Sequence, residues 1–316
     1  MRIGYFLSSE EYTPAELIEQ ARLAEEAGFE GLWISDHYHP WVDAQGQSPF
    51  VWSMIGALSQ VTRLPVTTAV TAPTMRIHPA IIAQAVATSA VLHEGRFVLG
   101  VGSGEALNEH IFGDAWPRAD VRLEMLEEAV EVMRKLWAGG FVDHDGEHYV
   151  VENARIYTLP EQQPLVYVSG FGPKSIDLAA RIGDGFVSTK PEADDVKRFR
   201  SNGGGKKVAQ GGFKACWAPT VEQAVDIAYE KWPNAGVPGE LSQVLPSPRH
   251  FEQASQLVTK DQIKDSFVCG SEAGPQLEMI GKYADAGYDE VYVANVGPNY
   301  RELIDLYAKE VIPNVR

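Results

Sequence analysis

The sequence predicts an α/β fold, a (β/α)8 TIM barrel with insertion segments. Short apolar segments alternate eight times with segments of helical periodicity along the 316 residues. These apolar segments are nearly continuous runs, as expected of parallel strands that are covered on both faces. A hydrophobic content of 45% with 22% charged residues supplies a sizeable core.

Four strand-then-helix units are predicted before residue 140. In the first, the β-prone segment 2–7 precedes a helix that begins at Pro14, has Leu17 and Ala21 at helical spacing and stops at Gly28. The next three predicted strands cover 31–35, 65–70 and 96–101, and the helices that follow them cover 49–60, 79–92 and 118–137.

Four further units complete the predicted barrel. Their strands cover 164–169, 185–189, 213–217 and 290–295. Their helices begin at Pro173, near Glu192 and at Thr220, and the last covers 300–309. The apolar run 267–270 fits either a ninth strand or an extra strand at an edge.

Three segments interrupt the alternation and are predicted to be insertions in a single domain that covers 1–316. They lie at about 138–163, 201–212 and 233–250. The first is aromatic and acidic, the second is rich in Gly and Lys, and the third holds four prolines. Loops of this length act as lids or binding loops, or are disordered.

Charge and cysteine usage limit the function classes. A net charge of −16 repels nucleic-acid phosphates and anionic lipid headgroups, so we expect a small-molecule substrate and neither nucleic acid nor membrane as partner. The N-terminal segment lacks the pattern of a signal peptide. Cys216 and Cys269 lie in apolar stretches without a C-x-x-C partner, which is typical of core residues in a reducing cytoplasm.

The densest group of polar residues follows the second predicted strand, in the motif S-D-H-Y-H-P-W at 35–41. Catalytic residues of barrels lie on the loops after the carboxyl ends of strands. His37 beside Asp36 suits proton transfer near neutral pH, and Trp41 suits the floor of an apolar pocket. A hydrogen-bonded loop with a structural tryptophan fits the same pattern.

The pair His37 and His39 also resembles the H-x-H motif of barrel metallohydrolases. Such enzymes need further histidine ligands from later strands and usually an aspartate from the last. The predicted fifth, sixth and eighth strands end instead in Ser169, Ser188 and Asn295. We therefore expect no metal.

Two glycine-containing motifs follow the fourth and fifth predicted strands. G-V-G-S-G-E at 100–105 resembles a dinucleotide fingerprint, but Glu105 stands where the third glycine is needed and would repel a pyrophosphate. Its glycines allow a flat ligand close approach, with Glu105 and Asn108 at the ligand edge. S-G-F-G-P-K at 169–174 begins a helix at Pro173, whose N-terminus suits an anion. Plain tight turns fit both motifs.

Five motifs resemble the luciferase-like monooxygenase superfamily. The resemblance is strongest to its branch that uses the deazaflavin coenzyme F420, which includes glucose-6-phosphate dehydrogenase of actinobacterial type, and it extends from about Ile3 to Phe186. The motifs are GYFLSSEEYTP, SDHYHPW, TAPTMRIHPAIIAQA, GVGSGEALNE and GDGF.

The resemblance implies a (β/α)8 barrel, usually a homodimer, with the deazaflavin at the carboxyl ends of the strands and its phosphate tail near the loop after the fifth strand. It implies His37 as the catalytic base, with Trp41 and Glu105 stabilising the reaction centre and Glu10 as the acid of the first loop. The cofactor contacts that it implies are Asp36, Ala69 and Val70 at a non-prolyl cis peptide, Asn108, Ser169, Gly170 and Gly172.

From this resemblance we hypothesise that His37 takes the hydroxyl proton of an alcohol or sugar, that the hydride passes to the F420 ring, and that Glu105 protonates or polarises the reduced ring. One alternative is a monooxygenase that uses flavin mononucleotide (FMN) in the same pocket. Another is a non-catalytic cofactor-binding barrel, against which the presence of His37 and Glu105 at separate strand ends argues.

The sequence departs from the sugar-phosphate members of this branch at the substrate phosphate. Cations are expected at positions occupied here by Ser266 and Ser242, and only Lys190 remains as a candidate. Each lost charge-assisted bond is worth about 1.5–3 kcal/mol. We therefore expect glucose 6-phosphate to be a poor substrate, and we expect few cations and mainly backbone amides to hold the anionic cofactor.

Overall fold

A closed barrel of eight parallel strands forms the centre of the computed structural model, which describes residues 1–315. The strands in chain order are β1 (Arg2–Leu7), β2 (Leu32–Ile34), β3 (Val66–Thr68), β4 (Phe97–Val101), β5 (Val142–Asp145), β6 (Val150–Ala154), β7 (Leu165–Ser169), β8 (Gly185–Ser188), β9 (Val208–Cys216), β10 (Val268–Cys269) and β11 (Glu290–Asn295). Three strands, β5, β6 and β10, lie outside the barrel. The barrel order is β1-β2-β3-β4-β7-β8-β9-β11, and β11 pairs with β1 to close it. The predicted fold class is confirmed.

Helices surround the barrel and pack on the apolar outer faces of its strands. They are α1 (Pro14–Ala27), α2 (Val51–Leu58), α3 (Pro79–Leu92), α4 (Ala106–Glu109), α5 (Ala119–Trp137), α6 (Pro173–Ile182), α7 (Ala193–Phe199), α8 (Val221–Lys231), α9 (Leu241–Val244), α10 (Pro248–Ser255), α11 (Lys260–Ser266), α12 (Ala273–Asp285), α13 (Tyr300–Leu306) and α14 (Ile312–Val315). Helix α1 has the predicted bounds because Thr13 and Glu16 form a capping box and Gly28 ends it at φ 90°.

Aromatic side chains fill the barrel interior. The ring of Trp33 stacks on Tyr292 with centroids 4.6 Å apart, and Phe6 meets the same indole edge-on at 5.6 Å. Glycine is required beside these rings, because a Cβ at Gly4 would lie 2.2 Å from Tyr292 and one at Gly212 would lie 2.3 Å from Trp33. The interior is therefore a packed layer beneath the carboxyl ends of the strands.

The predicted insertions have different structures. Segment 138–163 holds the antiparallel β5–β6 hairpin, and 233–250 holds a short helical turn, α9 and the start of α10. The prediction of a loop over 201–212 is wrong for its second half, since β9 begins at Val208. Glycine-rich sequence occurs there because Gly211 and Gly212 make room for Tyr283 and Trp33.

The run 267–270 forms an extra edge strand rather than a barrel strand. β10 pairs with the last two residues of β9, through Val268 with Ala215 and Cys269 with Cys216. Among residues 1–315, no helix combines the length and apolar character needed to cross a membrane.

Candidate active site

A cavity of about 810 Å³ opens at the carboxyl ends of the barrel strands. The interior rings of Phe6 and Trp33 form part of its lining. All eleven predicted site residues line it: Glu10, Asp36, His37, Trp41, Ala69, Val70, Glu105, Asn108, Ser169, Gly170 and Gly172. The loops after five strands thus bring residues from distant sequence positions to one place.

Two carboxylates flank the imidazole of His37. Its Nε2 lies 3.4 Å from Glu10 Oε1 and 3.6 Å from Glu105 Oε2. Glu10 is held in turn by the Ser35 hydroxyl, which donates to Oε2 at 2.7 Å. His37 side chain is only 11% exposed, so its Nε2 and both carboxylates face the cavity rather than bulk water. Such a group can accept a proton and stabilise the resulting imidazolium.

Asn108 fixes the other side of the His37 ring. Its Oδ1 accepts the backbone N–H groups of Tyr38 and His39, at 2.9 and 3.2 Å, which sets the orientation of the amide. Its Nδ2 therefore faces His37 Nδ1 at 3.2 Å and donates to Glu105 Oε2 at 3.3 Å. His37 Nδ1 also lies 3.2 Å from the His39 carbonyl oxygen, which can accept a proton on that nitrogen. Asn108, predicted as a cofactor contact, therefore holds the loop that carries His37 through its Oδ1 and Glu105 through its Nδ2.

The surroundings of Glu105 favour the protonated form of its carboxyl. Burial raises the pKa of Glu105, and Glu10 adds to the rise, while the charges of His37 and Lys214 oppose it. The side chain of Glu105 keeps 31% of its surface open toward the cavity. A carboxyl with a raised pKa at the cavity wall is a suitable proton donor.

Trp41 closes the cavity beside the base. Its ring centroid lies 5.0 Å from that of His37, and it packs edge-on against Phe251 of α10, also at 5.0 Å. Phe251 is fully buried, so the segment after the third insertion supplies part of the wall. This contact limits the access of water to the His37 ring.

Asp36 lies in a second carboxylate cluster. Its Oδ2 accepts the Thr71 hydroxyl at 2.8 Å, and its Oδ1 accepts Arg76 Nη2 at 2.7 Å. The backbone N–H of Arg76 donates to Glu109 Oε2 at 2.7 Å. Burial raises the pKa of Glu109 to about 7, and the bond from Arg76 opposes the rise. Both oxygens of Asp36 are therefore already bonded within the protein.

The third and fourth strand ends bring backbone close to the cavity. The Ala69–Val70 peptide is cis, as the resemblance implied. Glycine is required opposite it, because a Cβ at Gly100 would lie 1.8 Å from the Thr68 carbonyl oxygen and one at Gly102 would lie 2.8 Å from Val70. This wall offers a flat, largely apolar surface suited to an extended ring.

The fifth strand end presents an uncharged loop at a helix start. Ser169, Gly170 and Gly172 line the cavity, and α6 begins at Pro173 as predicted. The Ser175 hydroxyl accepts the N–H groups of Phe171 and Gly172, each at 3.2 Å, and so shapes the turn. The first turn of a ten-residue helix pointing at the cavity favours an anionic group.

The expectation of few cations is wrong for the cavity. Five cationic side chains line it: Arg118, Arg122, Lys174, Lys190 and Lys214. Ser242 and Ser266, where we expected the sugar-phosphate members to carry cations, do not line the cavity. The net negative charge of the sequence does not show where its 27 lysines and arginines lie in the fold.

Lys214 is a functional candidate that the sequence interpretation missed. It lies on β9, two residues beyond the interior-facing Gly212, so the alternation of strand side chains points it into the barrel mouth. A lysine at an inward position of an apolar barrel strand was the available signal. Burial lowers the pKa of Lys214, while Glu10, Glu105 and Glu11 oppose the fall.

The H-x-H pair is not arranged as a metal site. His39 Nδ1 donates to the Leu107 carbonyl oxygen at 3.0 Å, and its ring stacks on His110. Within residues 1–315, no group of three His, Cys, Asp or Glu side chains is placed to hold a metal ion. Residues 1–315 therefore give no support to the metallohydrolase alternative.

The fold and the site can be compared with known proteins. Residues 1–290 match the model of the luciferase-like monooxygenase family. The chain belongs to this family. This luciferase-like protein is similar to the F420-dependent glucose-6-phosphate dehydrogenase of Microbacterium testaceum. The two are 33% identical over 100% of this chain and 98% of that protein.

Solved structures give a second comparison. An F420-dependent secondary alcohol dehydrogenase in complex with an F420–acetone adduct is 33% identical, with a TM-score of 0.92 and coverage of 100% of this chain and 99% of that one. The monooxygenase RslO1 from Streptomyces bottropensis is 18% identical with a TM-score of 0.74, covering 100% of both chains, and shows only that the fold is shared.

Proposed function

We propose that this luciferase-like protein is an F420-dependent oxidoreductase that transfers a hydride between an alcohol or sugar carbon and the deazaflavin. The observation that carries the proposal is His37 Nε2 between two carboxylates, at 3.4 and 3.6 Å, in the wall of a cavity large enough for a cofactor and a substrate. Relatives and a solved structure with F420-dependent dehydrogenase activity, matched over the whole chain, support it.

The cavity fits a bound deazaflavin. Ala69, Val70 and Gly102 provide the flat wall for its ring, and the loop Ser169–Gly172 leads to the α6 N-terminus for its phosphate. Lys174 and Lys190 add positive charge to that wall. When bound, the deazaflavin supplies a two-electron hydride acceptor, while the protein supplies orientation and proton transfer.

His37 Nε2 takes the proton of the substrate hydroxyl in this proposal. To accept it, Nε2 must start unprotonated, so the ring carries its proton on Nδ1, where the His39 carbonyl oxygen lies within 3.2 Å. The imidazolium that forms then points Nε2–H at Glu10 and Glu105. The negative charge of Glu10 lowers the free energy of the imidazolium that forms.

Glu105 and Trp41 assist this step in different ways. The raised pKa of Glu105 allows its carboxyl to hold a proton that it can donate toward the reduced ring edge. Trp41, packed between His37 and Phe251, keeps water from competing for the imidazole. Glu10 orients the base through its own bond to Ser35.

A substrate panel tests the proposal. Purified protein with F420 is given 2-propanol, D-glucose and glucose 6-phosphate, and bleaching of the oxidised deazaflavin is followed. We expect turnover of an unphosphorylated alcohol or sugar and poor turnover of glucose 6-phosphate. If the absorbance maximum of the copurified cofactor lies at about 450 nm rather than about 420 nm, the FMN monooxygenase is supported instead. Robust turnover of glucose 6-phosphate would overturn the predicted substrate class.

We also propose a cytoplasmic homodimer built from a single barrel unit over 1–316. The free cysteines Cys216 and Cys269 are compatible with a reducing compartment. Large apolar side chains are exposed on and beside α2 and α3, among them Phe50 and Ile81 at 53% and 58%. Light scattering of the purified protein tests the dimer, and a monomer mass would refute it.

A further inference from the structure

Lys214 has an unusual environment within the cavity. Its Nζ lies 4.5 Å from the centroid of the Trp232 ring. No carboxylate, carbonyl or hydroxyl within residues 1–315 forms a hydrogen bond or an ion pair with this ammonium. An ammonium has three donors, and a buried one without partners is costly. Its donors are therefore available to a ligand in the cavity.

Glu11 anchors the ring on which Lys214 rests. The Trp232 Nε1–H donates to Glu11 Oε2 at 2.7 Å, and the Gly297 N–H donates to Glu11 Oε1 at 2.7 Å. Trp232 is only 2% exposed, so its indole has a single packed position. Both carboxylate oxygens of Glu11 are thus used to tie the loops after β1, α8 and β11 together.

The anchor point at Gly297 is itself fixed. Its carbonyl oxygen accepts the Tyr12 hydroxyl at 2.7 Å. Its φ is +83°, and an added Cβ would lie 2.4 Å from Ile227, so only glycine fits there. Glu11 therefore binds a rigid backbone N–H on one side and an indole on the other.

We propose that Glu11 is a positioning residue, which through Trp232 holds the Lys214 ammonium where it binds a second oxygen of the substrate, other than the hydroxyl whose proton His37 takes. This inference rests on the proposed function and deepens it. It favours substrates with several oxygens, such as sugars and polyols, over simple secondary alcohols. Lys214 lines the same cavity as His37, Glu10 and Glu105, so one substrate can reach both the ammonium and the base.

The first experiment measures Lys214 without any substrate. Acetic anhydride labels the free amine, and mass spectrometry gives the labelling rate of Lys214 relative to the exposed Lys197 between pH 7 and 10. We expect Glu11→Gln to increase the rate at pH 8 about threefold or more, since the lost anion no longer favours the ammonium. Trp232→Phe keeps the Glu11 carboxylate but cuts the bond that anchors the ring, so the ammonium loses its fixed place on the ring and we expect a higher rate here as well.

A matched control separates this effect from a general loosening of the N-terminal region. Glu19→Gln removes a carboxylate on α1 that binds Arg301 and Tyr300 away from the cavity. We expect this variant to label like the wild type. A wild-type rate at Lys214 in Trp232→Phe would overturn the positioning role, because Glu11 would then act on the ammonium through its charge alone and not through the ring.

The second experiment compares two substrates in the F420-loaded enzyme. We expect Glu11→Gln, Trp232→Phe and Lys214→Met each to raise KM for D-glucose about 10-fold to 100-fold, with kcat changed less than about threefold and a smaller rise in KM for 2-propanol, which has no second oxygen. The double variant Glu11→Gln with Lys214→Met should be no worse than Lys214→Met alone. Additive losses, or equal losses with 2-propanol, would overturn the proposal. If no alcohol is oxidised, the proposed function fails while the labelling experiment still decides the role of Glu11.

Discussion

Two carboxylate clusters line the same cavity, and they are built in opposite ways. The Arg76 guanidinium donates to Asp36 at 2.7 Å and lies 3.7 Å from Glu109, which also accepts the Arg76 backbone N–H. Glu10 and Glu105 instead flank His37 at 3.4 and 3.6 Å, and no arginine or lysine forms an ion pair with either within residues 1–315. The first cluster is compensated and holds loops in place, whereas the second keeps charge that can respond to a proton on His37.

The largest effect should come from removing the proton acceptor of the second cluster. We expect His37→Asn to lower kcat by about 10²–10⁴-fold, since it deletes general base catalysis. Equilibrium binding of F420 and the thermal midpoint should stay near wild type. His39→Asn is the matched control, because that ring bonds the Leu107 carbonyl rather than the carboxylates. Near-normal turnover by His37→Asn with the cofactor bound would show that the base is another group.

Breaking the first cluster should instead affect stability. Arg76→Met leaves Asp36 and Glu109 buried without their cation, and removal of one partner of a buried ion pair costs about 3–5 kcal/mol. Urea unfolding measures the loss. Arg63→Met, which breaks the exposed pair with Glu94, serves as control and should leave the midpoint unchanged. An unchanged midpoint in Arg76→Met would mean that the cluster is not structural.

The sequence predicted the second cluster better than the first. His37 and Glu105 stand in motifs after predicted strands, and the family resemblance joined Glu10 to them in one site. Arg76 lies in a loop after β3, and nothing in its neighbours shows that it turns inward to Asp36. Ion pairs between distant loops depend on how the loops pack, which periodicity does not encode.

The same limit applies to the fold. Strand bounds were predicted within a few residues where apolar runs have sharp ends, as in β1 and β11. The start of β9 was missed because Gly211 and Gly212 look like a loop until the aromatic rings that need their space are placed. Lys214 was missed for a related reason, since its inward direction follows from the register of that strand.

The first cluster should also make stability depend on pH. The pKa of Glu109 is raised from 4.5 to about 7, so its contribution to folding is fully present below about pH 4.5 and is lost as pH rises through 7. We expect Glu109→Gln to reduce the fall in unfolding free energy between pH 5 and pH 8 by about 2.5 kcal/mol. Urea titrations at both pH values, with wild type in parallel, measure it. An unchanged fall would show that Glu109 keeps an ordinary pKa.

The smallest effect should come from one amide that supports the base. In Asn108→Ala, the loop that carries His37 loses the acceptor of two backbone N–H groups and Glu105 loses a donor at 3.3 Å, so we expect kcat to fall about 10-fold. Thr71→Val removes a comparable single hydroxyl donor from Asp36 in the other cluster and should lower stability without lowering kcat. Because Asn108 acts through His37, the double variant with His37→Asn should lose no more activity than His37→Asn alone. Additive losses would instead place Asn108 in direct contact with the cofactor, as the family resemblance implied.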